Sequence, residues 1–545
     1  MKNSILSIVP FLFILLGCPA NKKEAVVESE VDFNKPSMSQ IVTERPPNYP
    51  GYVPDININE RGKSKFHTPT PELTALKDIK SAKATIITPQ LGGWDKVPWA
   101  DSNIEYYLIT PGDYVGWGEL NITVSGRAGA PKVLMYYDPS MGDKPNTVVH
   151  GYTADKAGYP VLIEGIRIGT KSEGNAHWTI SGLTLKGNSW TKGSVSAGSG
   201  LVILPGAKNI KIVNCFAWRW RGARLYGDNI VFQDNVVGGS LQMRGDHGAV
   251  GIFTTKEAGS YNCRIVGNEI FDQADLAGAP KDGDEATEFG FVNGLVIADN
   301  DLYWTEEARF DYGDGLLYNC GGDGIDIKNG SNDPTNPVQI IGNRIAYCYP
   351  TPPDKSCGDN TGSYGQAMML HKDLRNTVIK DNIFYNVSVG IVAYKDRKGF
   401  LTDNIVIQNN LFHTCIEQIP DVTGYALKAT ASNVDFIWNT VVDSGQFISI
   451  TRNGKSRLDV RGNRYIGPEK GMQKSVKSQT VKDNYISREP DIPLGDLAII
   501  WHPHTGMETL VLPHCVLYKK DLNKIAGKYP SSGMDEYMAR AWWVE

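Results

Sequence analysis

The sequence has few charged residues and no excess of basic ones. Of its 545 residues, 55 are Lys or Arg and 60 are Asp or Glu, which leaves a net charge of −5. Proteins that bind nucleic acid usually carry a basic surface, so this balance argues against nucleic acid as a partner. With 41% hydrophobic and 21% charged residues, the composition is that of a folded chain and not of a disordered one.

Long hydrophobic runs are also absent, because no segment is apolar over the roughly 20 residues needed to cross a bilayer. The first 17 residues contain a shorter apolar run after Lys2, as the core of a signal peptide does. This run ends in the order Leu-Leu-Gly-Cys at Cys18, which resembles the bacterial lipobox. We therefore predict a lipoprotein signal peptide over residues 1–17 and lipidation of Cys18. The protein is then expected in the bacterial cell envelope as an outer-membrane lipoprotein, facing the periplasm or the exterior.

The chain lacks any Cys-x-x-Cys motif, which argues against a structural zinc site. Apart from Cys18, seven of its eight cysteines remain, and an odd number leaves at least one free thiol. Cys348 and Cys357 flank a Pro-rich loop and are candidates for a disulfide in an oxidising compartment.

A sustained helical period is missing from most of the chain. Residues 18–80 are polar and rich in proline, so we predict an extended tether. Residues 81–486 contain short alternating apolar segments separated by Gly, Pro, Asn and Asp, which predict strands and turns. Residues 487–545 lose this pattern, and we expect them to form a small C-terminal cap that includes short helices near 518–528 and 534–542.

One phrase recurs within the strand-rich region: an apolar strand, a bend that contains asparagine, and a second strand. The variable interval is typical of a right-handed parallel β-helix, whereas a β-propeller has a steadier repeat of four strands. We attribute the recurring asparagine to a left-handed backbone at the bend, and we expect inward asparagines to bond one another along the axis. The recurring residues are Asn214, Asn235, Asn268, Asn300, Asn343, Asn382, Asn410, Asn439, Asn463 and Asn484.

The repeat allows residues of successive coils to be placed above one another. We align the segments that start at Gly324, Ala367, Gly390 and Gly424. Side chains along each strand point alternately to the core and away from it, so the alignment assigns each residue to one of the two faces. The alignment predicts an outward column of acid-base side chains on neighbouring coils, with Asp323 and Asp326 in the first coil and Glu288 one coil earlier. The members of the predicted column are Lys328, His371, Tyr394 and Lys428.

These residue types suit β-elimination on a uronate polysaccharide. The reaction needs a cation near the sugar carboxylate, a base for the C5 proton and a donor for the leaving oxygen. Lys328 or His371 is the candidate base, and Tyr394 or His371 is the candidate donor. Asp323, Asp326 and Glu288 offer the hard oxygen ligands that Ca²⁺ prefers, so Ca²⁺ is the predicted cofactor.

Three segments resemble the opening coils of polysaccharide lyase family six, which contains alginate and chondroitin lyases. They are Thr110–Tyr114 (TPGDY), Val124–Pro131 (VSGRAGAP) and His177–Leu183 (HWTISGL). The resemblance implies a right-handed parallel β-helix that uses Ca²⁺ and a lysine base. It matches Lys328 to that base and Asp323 to a carboxylate ligand.

Two positions relate the chain further to known lyases. His371 and Lys372 stand where family six has an arginine. The turn Gly322–Asp326 is similar to the acidic turn of the pectate-type lyases of family nine, with Gly322 in place of one aspartate.

A second group of residues is predicted to bind the substrate: Trp220, Arg224, Tyr226, Lys372 and Lys428. Arginine pairs with planar anions, and tryptophan offers a flat face to a sugar ring. The predicted function is therefore a polysaccharide lyase, acting as a monomer on an acidic polysaccharide such as alginate or pectate.

Three alternatives remain open on the same fold. A glycoside hydrolase would use a carboxylate pair, Glu285 or Glu288 with Asp323 or Asp326. A C5-epimerase would share the base and the donor without cutting the chain. A non-catalytic surface protein would bind glycan without needing Lys328 or His371.

Overall fold

A computed structural model describes most of the strand-rich region and little outside it. The described residues are 83–137, 161–170, 175–186, 200–218, 222–238, 248–254, 259–272, 275–279, 290–304, 309–311, 317–319, 322–350, 365–394, 402–415, 424–430, 433–437, 439–442, 446–450, 458–461, 463–466, 480–482, 485–487, 498–502, 507–511, 517–518 and 543–544.

Three long parallel sheets organise these residues, with 14, 11 and 13 strands. The first sheet comprises Ala84–Ile87, Tyr106–Ile109, Lys132–Tyr136, Ala176–Ser181, Lys208–Val213, Val231–Gln233, Arg264–Val266, Val296–Ala298, Val338–Ile341, Arg375–Lys380, Asp403–Gln408, Val434–Ile437, Leu458–Arg461 and Thr480–Lys482. The second comprises Leu120–Ile122, Ile166–Ile168, Leu201–Ile203, Ala223–Tyr226, Gly248–Phe253, Asp275–Ala279, Ile325–Ile327, Gln366–Leu370, Val389–Tyr394, Tyr425–Thr430 and Gln446–Ile450. The third comprises Gly112–Asp113, Val161–Ile163, Thr184–Lys186, Phe216–Trp218, Val236–Gly238, Glu269–Phe271, Asp301–Tyr303, Arg344–Ala346, Ile383–Val387, Leu411–Cys415, Thr440–Val442, Arg464–Ile466 and Tyr485–Ser487.

Smaller elements accompany the three sheets. Short 3-10 helices lie near the first coils, at Pro89–Leu91, Trp94–Lys96 and Val115–Trp117. The two-stranded sheets pair Ser260–Tyr261 with Val292–Asn293, Arg309–Asp311 with Leu317–Asn319, Ala498–His502 with Met507–Val511, and Leu517–Tyr518 with Trp543–Val544.

Each coil passes through the second, first and third sheets in turn, and each strand pairs in parallel with its counterpart in the next coil. Parallel strands connected this way turn right-handed in nearly all proteins. Alternate side chains of all three sheets meet along the axis, where one continuous core of fully buried Ile, Leu, Val and Phe forms. The chain is therefore a right-handed parallel β-helix, as predicted.

A ladder of buried asparagines runs along one corner, between the first and third sheets. At Asn343, the side-chain Oδ1 accepts the backbone N–H of Asn300 at 3.1 Å and its Nδ2–H at 2.8 Å. The Asn343 Nδ2 donates to the Ile297 carbonyl at 2.8 Å and to Asn382 Oδ1 at 3.0 Å. The same pattern joins Asn235, Asn268, Asn300, Asn343, Asn382, Asn410, Asn439 and Asn463.

The predicted left-handed conformation falls one residue earlier than expected. Six residues that directly precede a ladder asparagine have positive φ: Asp234, Gly267, Asp299, Gly342, Asp381 and Asn409. Asn214 also has a φ of 50°, so the inward position in its coil belongs to Cys215, whose N–H donates to Asn235 Oδ1. Two consecutive residues at the bend therefore have different roles. One turns the backbone and the next one bonds the neighbouring coil.

Several predictions concern residues that lie outside the described part of the chain. They are the signal peptide over 1–17, lipidation at Cys18, the tether over 18–80, the helix near 534–542 and the helix near 518–528 except for Tyr518, which ends the short strand Leu517–Tyr518. These features and the envelope localisation stay predictions. Within the described residues, no helix combines the length and the apolar character that a membrane crossing requires.

The disulfide considered between Cys348 and Cys357 is not formed, because Cys348 is a free thiol. Cys348 is 1% exposed and lies next to the core. Burial raises the pKa of this thiol well above its ordinary value, and the charge of Asp323 raises it further. Since the thiolate is the reactive form, Cys348 is chemically protected.

We expect the Cys348 thiol to resist iodoacetamide in the native protein and to react fully in denaturant. Peptide mass spectrometry after labelling under each condition measures the modified fraction. Ready labelling of the native protein, or a peptide in which Cys348 is linked to Cys357, would contradict this assignment.

We expect Asn343→Ala to destabilise the protein strongly. The substitution leaves the buried N–H donors of Asn300 and the buried carbonyl of Ile297 without their hydrogen-bond partner. A buried group left without its partner costs about 1–3 kcal/mol, so we predict a loss of about 3 kcal/mol in the free energy of unfolding. Urea unfolding followed by circular dichroism measures it. Asn332→Ala is the matched control, because the Asn332 side chain is exposed and lies outside the ladder. Equal stability of the two variants would show that the ladder does not hold the coils together.

Candidate active site

The second sheet turns one face to the core and the other away from it. Ile325 and Ile327 are fully buried in the axial core. Because strand side chains alternate, Asp326 between them points outward, and Lys328 continues that face at the end of the strand. The predicted outward position of both residues follows from the observed register.

Asp326 joins the two candidate catalytic side chains. Its Oδ1 lies 3.0 Å from His371 Nε2, and its Oδ2 lies 3.9 Å from Lys328 Nζ. The side chains of Lys328 and Asp326 are 3% exposed and that of His371 is 12% exposed. Buried charges need such pairing, so one carboxylate holds a lysine and a histidine close together in a largely dry setting.

Register between neighbouring coils places Tyr394 beside His371. The N–H of His371 donates to the Ile327 carbonyl at 2.9 Å, and Leu370 pairs with Ala393 on the next strand. Tyr394 is therefore the backbone neighbour of His371, as the sequence alignment predicts. The Tyr394 side chain is outside the described part of the structure.

Lys428 lies on a different row from the one predicted. Lys428 pairs with Val392, and Thr430 pairs with Tyr394, so the alignment on Gly424 is wrong by two residues. A shift of two keeps the side chain on the outward face. Lys428 is exposed, with Nζ 5.9 Å from the Tyr425 ring, and lies in line with Asp326 instead of Lys328.

Of Lys372, Trp220 and Glu288, the first is buried and the other two lie outside the described residues. Lys372 has a φ of 63° and is 6% exposed, and its carbonyl accepts from Thr402 Oγ1 at 3.4 Å. The predicted role of Lys372 in substrate binding stays a prediction. Trp220 and Glu288 lie outside the described residues, as does Glu285 of the hydrolase alternative.

Arg224 and Tyr226 form an aromatic and cationic patch on the same outward face. The Arg224 guanidinium lies 5.7 Å from the Phe253 ring centroid, and the rings of Tyr226 and Phe253 are 5.3 Å apart. Arg224 is half-buried and held over a ring, an arrangement that orders the guanidinium fork.

The described carboxylates do not fit a calcium ion. Asp326 turns its two oxygens towards His371 and Lys328, and cations compete with a metal for the same carboxylate. Asp323 lies three residues earlier, and its N–H donates to Asp275 Oδ1 at 2.9 Å. No group of three or more His, Cys, Asp or Glu suited to a metal occurs within the ranges described above. The calcium prediction stays a prediction, since it also involves Glu288.

Sequence reasoning missed the contact between Asp326 and His371. Asp326 pairs directly with Met369, two residues before His371, so the two side chains meet across a diagonal of the sheet. Diagonal neighbours are within reach of long side chains. The alternation pattern already placed Asp326 and His371 on the same face of adjacent strands, so this contact could have been predicted. Asp275, the partner of the Asp323 backbone, was also missed, because the alignment of coils did not include its strand.

Comparison with known proteins concerns the fold. A family model described as a right handed beta helix region matches residues 292–465. The search of curated proteins gives no match. The predicted right-handed parallel β-helix is confirmed by the family model.

Three solved structures are similar to this chain at low sequence identity. A PL6 family alginate lyase, AlyGC, is 11% identical with a TM-score of 0.43, over 79% of this chain and 55% of that one. This chain thus spans about half the length of that lyase. The surface adhesin PfbA of Streptococcus pneumoniae is 13% identical over 79% of this chain and 100% of that one, with a TM-score of 0.45. The A-module of a mannuronan C-5 epimerase from Azotobacter vinelandii is 15% identical over 71% and 91%, with a TM-score of 0.39.

Proposed function

We propose that the protein is a polysaccharide lyase that cleaves a uronate-containing chain by β-elimination. The observation that carries the proposal is the outward cluster in which Asp326 contacts both His371 and Lys328. A base and a cation held beside each other on a long, regular face suit proton removal next to a sugar carboxylate.

The reaction breaks one C–O bond without water. A base takes the C5 proton, the freed electron pair forms the C4–C5 double bond, and the C4–O4 bond breaks. The departing O4 takes a proton from a donor. The products are a shorter chain and a chain with an unsaturated uronate at its new end, so the atoms balance without any co-reactant.

His371 is the base in this proposal, and Asp326 positions it. Imidazole is the side chain whose neutral form is ordinarily populated near neutral pH. With its Nε2 proton donated to Asp326, the neutral ring carries its lone pair on Nδ1, a nitrogen that is buried here, so the reaction requires the groups that cover it to move when substrate binds. The same carboxylate stabilises the ring once it has accepted the C5 proton, as a buried acid does for a catalytic histidine.

Lys328 supplies positive charge, and Tyr394 supplies the proton for O4. A lysine ammonium carries three donors and a compact charge, which suits neutralisation of the sugar carboxylate as negative charge builds up at C5. Tyr394 follows on the adjacent strand, one rung beyond His371. The groups lie on three successive strands, so the scissile linkage crosses the strands and does not run along them.

We expect His371→Ala to lower kcat on a cleaved polyuronate about 10²–10⁴-fold, the usual cost of losing a general base. We expect Lys328→Ala to lower kcat about 10²–10³-fold, because it removes the preorganised charge. The assay follows ultraviolet absorbance of the unsaturated product on alginate, pectate and glycosaminoglycans.

Lys208→Met is the control for these variants, because Lys208 is exposed on the first sheet and contacts only the surface carboxylate of Asp228 at 3.9 Å. Chain cleavage without new absorbance would identify a hydrolase. A changed C5 configuration without cleavage would identify an epimerase. Binding unaffected by both variants, with no turnover, would identify a glycan-binding protein.

We expect a chelator to leave most of the activity in place, because the described donor set favours Lys328 over a metal as the source of positive charge. The measurement compares initial rates in EDTA, in EDTA with excess Ca²⁺, and in untreated buffer. Loss of activity in EDTA that Ca²⁺ restores would overturn this metal-independent assignment and revive the predicted site with Glu288.

A further inference from the structure

The first sheet begins one coil before the other two sheets. We call Ala84–Ile87 the edge strand, because it pairs with Tyr106–Ile109 on one side and with no other strand of the described chain. Two short 3-10 helices follow the edge strand before the second and third sheets start. Trp94 and Val97 join the axial core in this segment. The turns therefore close the hydrophobic core at this end, whereas they leave one side of the edge strand without a neighbouring strand.

Backbone groups of two residues in the edge strand point away from the sheet. The carbonyls of Lys83 and Ile87 both accept backbone N–H groups of the neighbouring segment at 2.9 Å. Because backbone groups alternate in direction along a strand, the N–H and C=O groups of Ala84 and Ile86 point to the opposite side. Among the described residues, nothing pairs with this side of the strand.

The edge strand lacks the features that usually prevent two sheet edges from pairing. Its sequence, Ala-Thr-Ile-Ile, contains neither a charged residue nor a proline. Lys83 precedes the strand, but its Nζ lies 2.5 Å from Glu105 Oε1 and is thereby engaged. Ile86 is 54% exposed, and among the described residues it shares this exposure of a large hydrophobic side chain only with Tyr261. An exposed, uncharged edge of this kind is a template for a further strand.

Apolar side chains continue from the edge strand across the outward face of the first sheet. Ile86 pairs with Leu108 on the next strand. Leu108 belongs to a cluster that is separate from the axial core. The cluster contains Leu108, Val133 and Met135, with Ala84, Tyr106 and Tyr137 packed against them. It ends at the following strand, where the polar residues Thr179 and Ser181 pair with Val133 and Met135. The apolar outward surface is thus concentrated at the open end of the sheet.

We propose that a second copy of this chain pairs with the edge strand, so that the first sheets of the two copies join across a two-fold axis. An antiparallel pair centred on Thr85 places Ala84 opposite Ile86 of the second copy, and the two residues exchange N–H···O=C bonds. All the outward backbone groups of both edge strands then have partners. The strand is its own complement, as a two-fold contact requires. This inference is independent of the proposed function, and it replaces the monomer expected from the sequence with a dimer.

Sedimentation of the full chain over a dilution series tests the proposal. Detergent is included because the chain is predicted to carry a lipid. The unmodified protein is expected to sediment as a dimer that dissociates on dilution. Ile86→Pro removes only the outward N–H, and proline is tolerated where the N–H of an edge strand faces away from the sheet. We expect it to weaken association about tenfold or more, because hydrogen bonds are lost from both copies. Ile86→Lys is expected to weaken association similarly, since it places like charges at the contact.

Matched variants separate edge pairing from a general loss of apolar surface. Ile86→Val keeps the N–H and the branched side chain, and Tyr261→Lys removes the other exposed large hydrophobic side chain, which lies on a different small sheet. Both are expected to associate as the unmodified protein does, and thermal unfolding checks that every variant is folded. A monomer at every concentration overturns the proposal. A dimer that survives both Ile86→Pro and Ile86→Lys, or one that Tyr261→Lys weakens equally, also overturns it.

Amide hydrogen exchange distinguishes a second copy from another segment of the same chain. In the proposed dimer, the N–H groups of Ala84 and Ile86 exchange slowly at high concentration and rapidly after dilution. Slow exchange at every concentration in a protein of monomeric mass would assign the edge to the chain itself and overturn the proposal. None of these measurements depends on catalysis, so absence of lyase activity leaves their outcome unchanged.

Discussion

Everything in this molecule depends on the hydrogen bonds that one buried asparagine makes with the next. Each ladder amide accepts two N–H groups from the preceding coil and donates to the following one, so its bonds are satisfied only at one vertical register. A carboxamide is suited to this because it offers both donors and acceptors on one planar group. Burial makes the constraint strict, because a slipped coil would leave several such groups without partners at once.

The register that the asparagine ladder fixes determines which residues of neighbouring strands lie side by side on the second sheet. Residues 43 positions apart in the chain, Lys328 and His371, reach one carboxylate because their strands are neighbours. The connecting segments contribute to the length of each coil without altering this pairing. The cluster is therefore positioned by paired strands, because Asp326 lies within one of them and Lys328 and His371 directly follow the ends of theirs.

The fold was predictable from the sequence because the asparagine phrase repeats and because apolar residues alternate around it. The site was predictable in part. Three of the four aligned segments, at Gly324, Ala367 and Gly390, agree with the observed pairing, whereas Gly424 does not, since Ala426 takes the equivalent position. A Cβ at Gly324 or Gly390 would meet backbone atoms at short range, yet Ala367 and Ala426 occupy the equivalent position in their coils, so glycine alone does not set the register. The role of Asp326 was not predictable from one row, because its contact with His371 crosses between two rows.

The equal spacing of coils has a consequence for how such a protein changes over time. Distances between outward side chains are counted in whole coils, and each coil from Asn235 to Asn463 carries an asparagine that joins its neighbours. Duplication or loss of one coil would therefore lengthen or shorten the binding face by one fixed increment while leaving the core and the ladder continuous. The length of the outward face can therefore change by one strand spacing at a time.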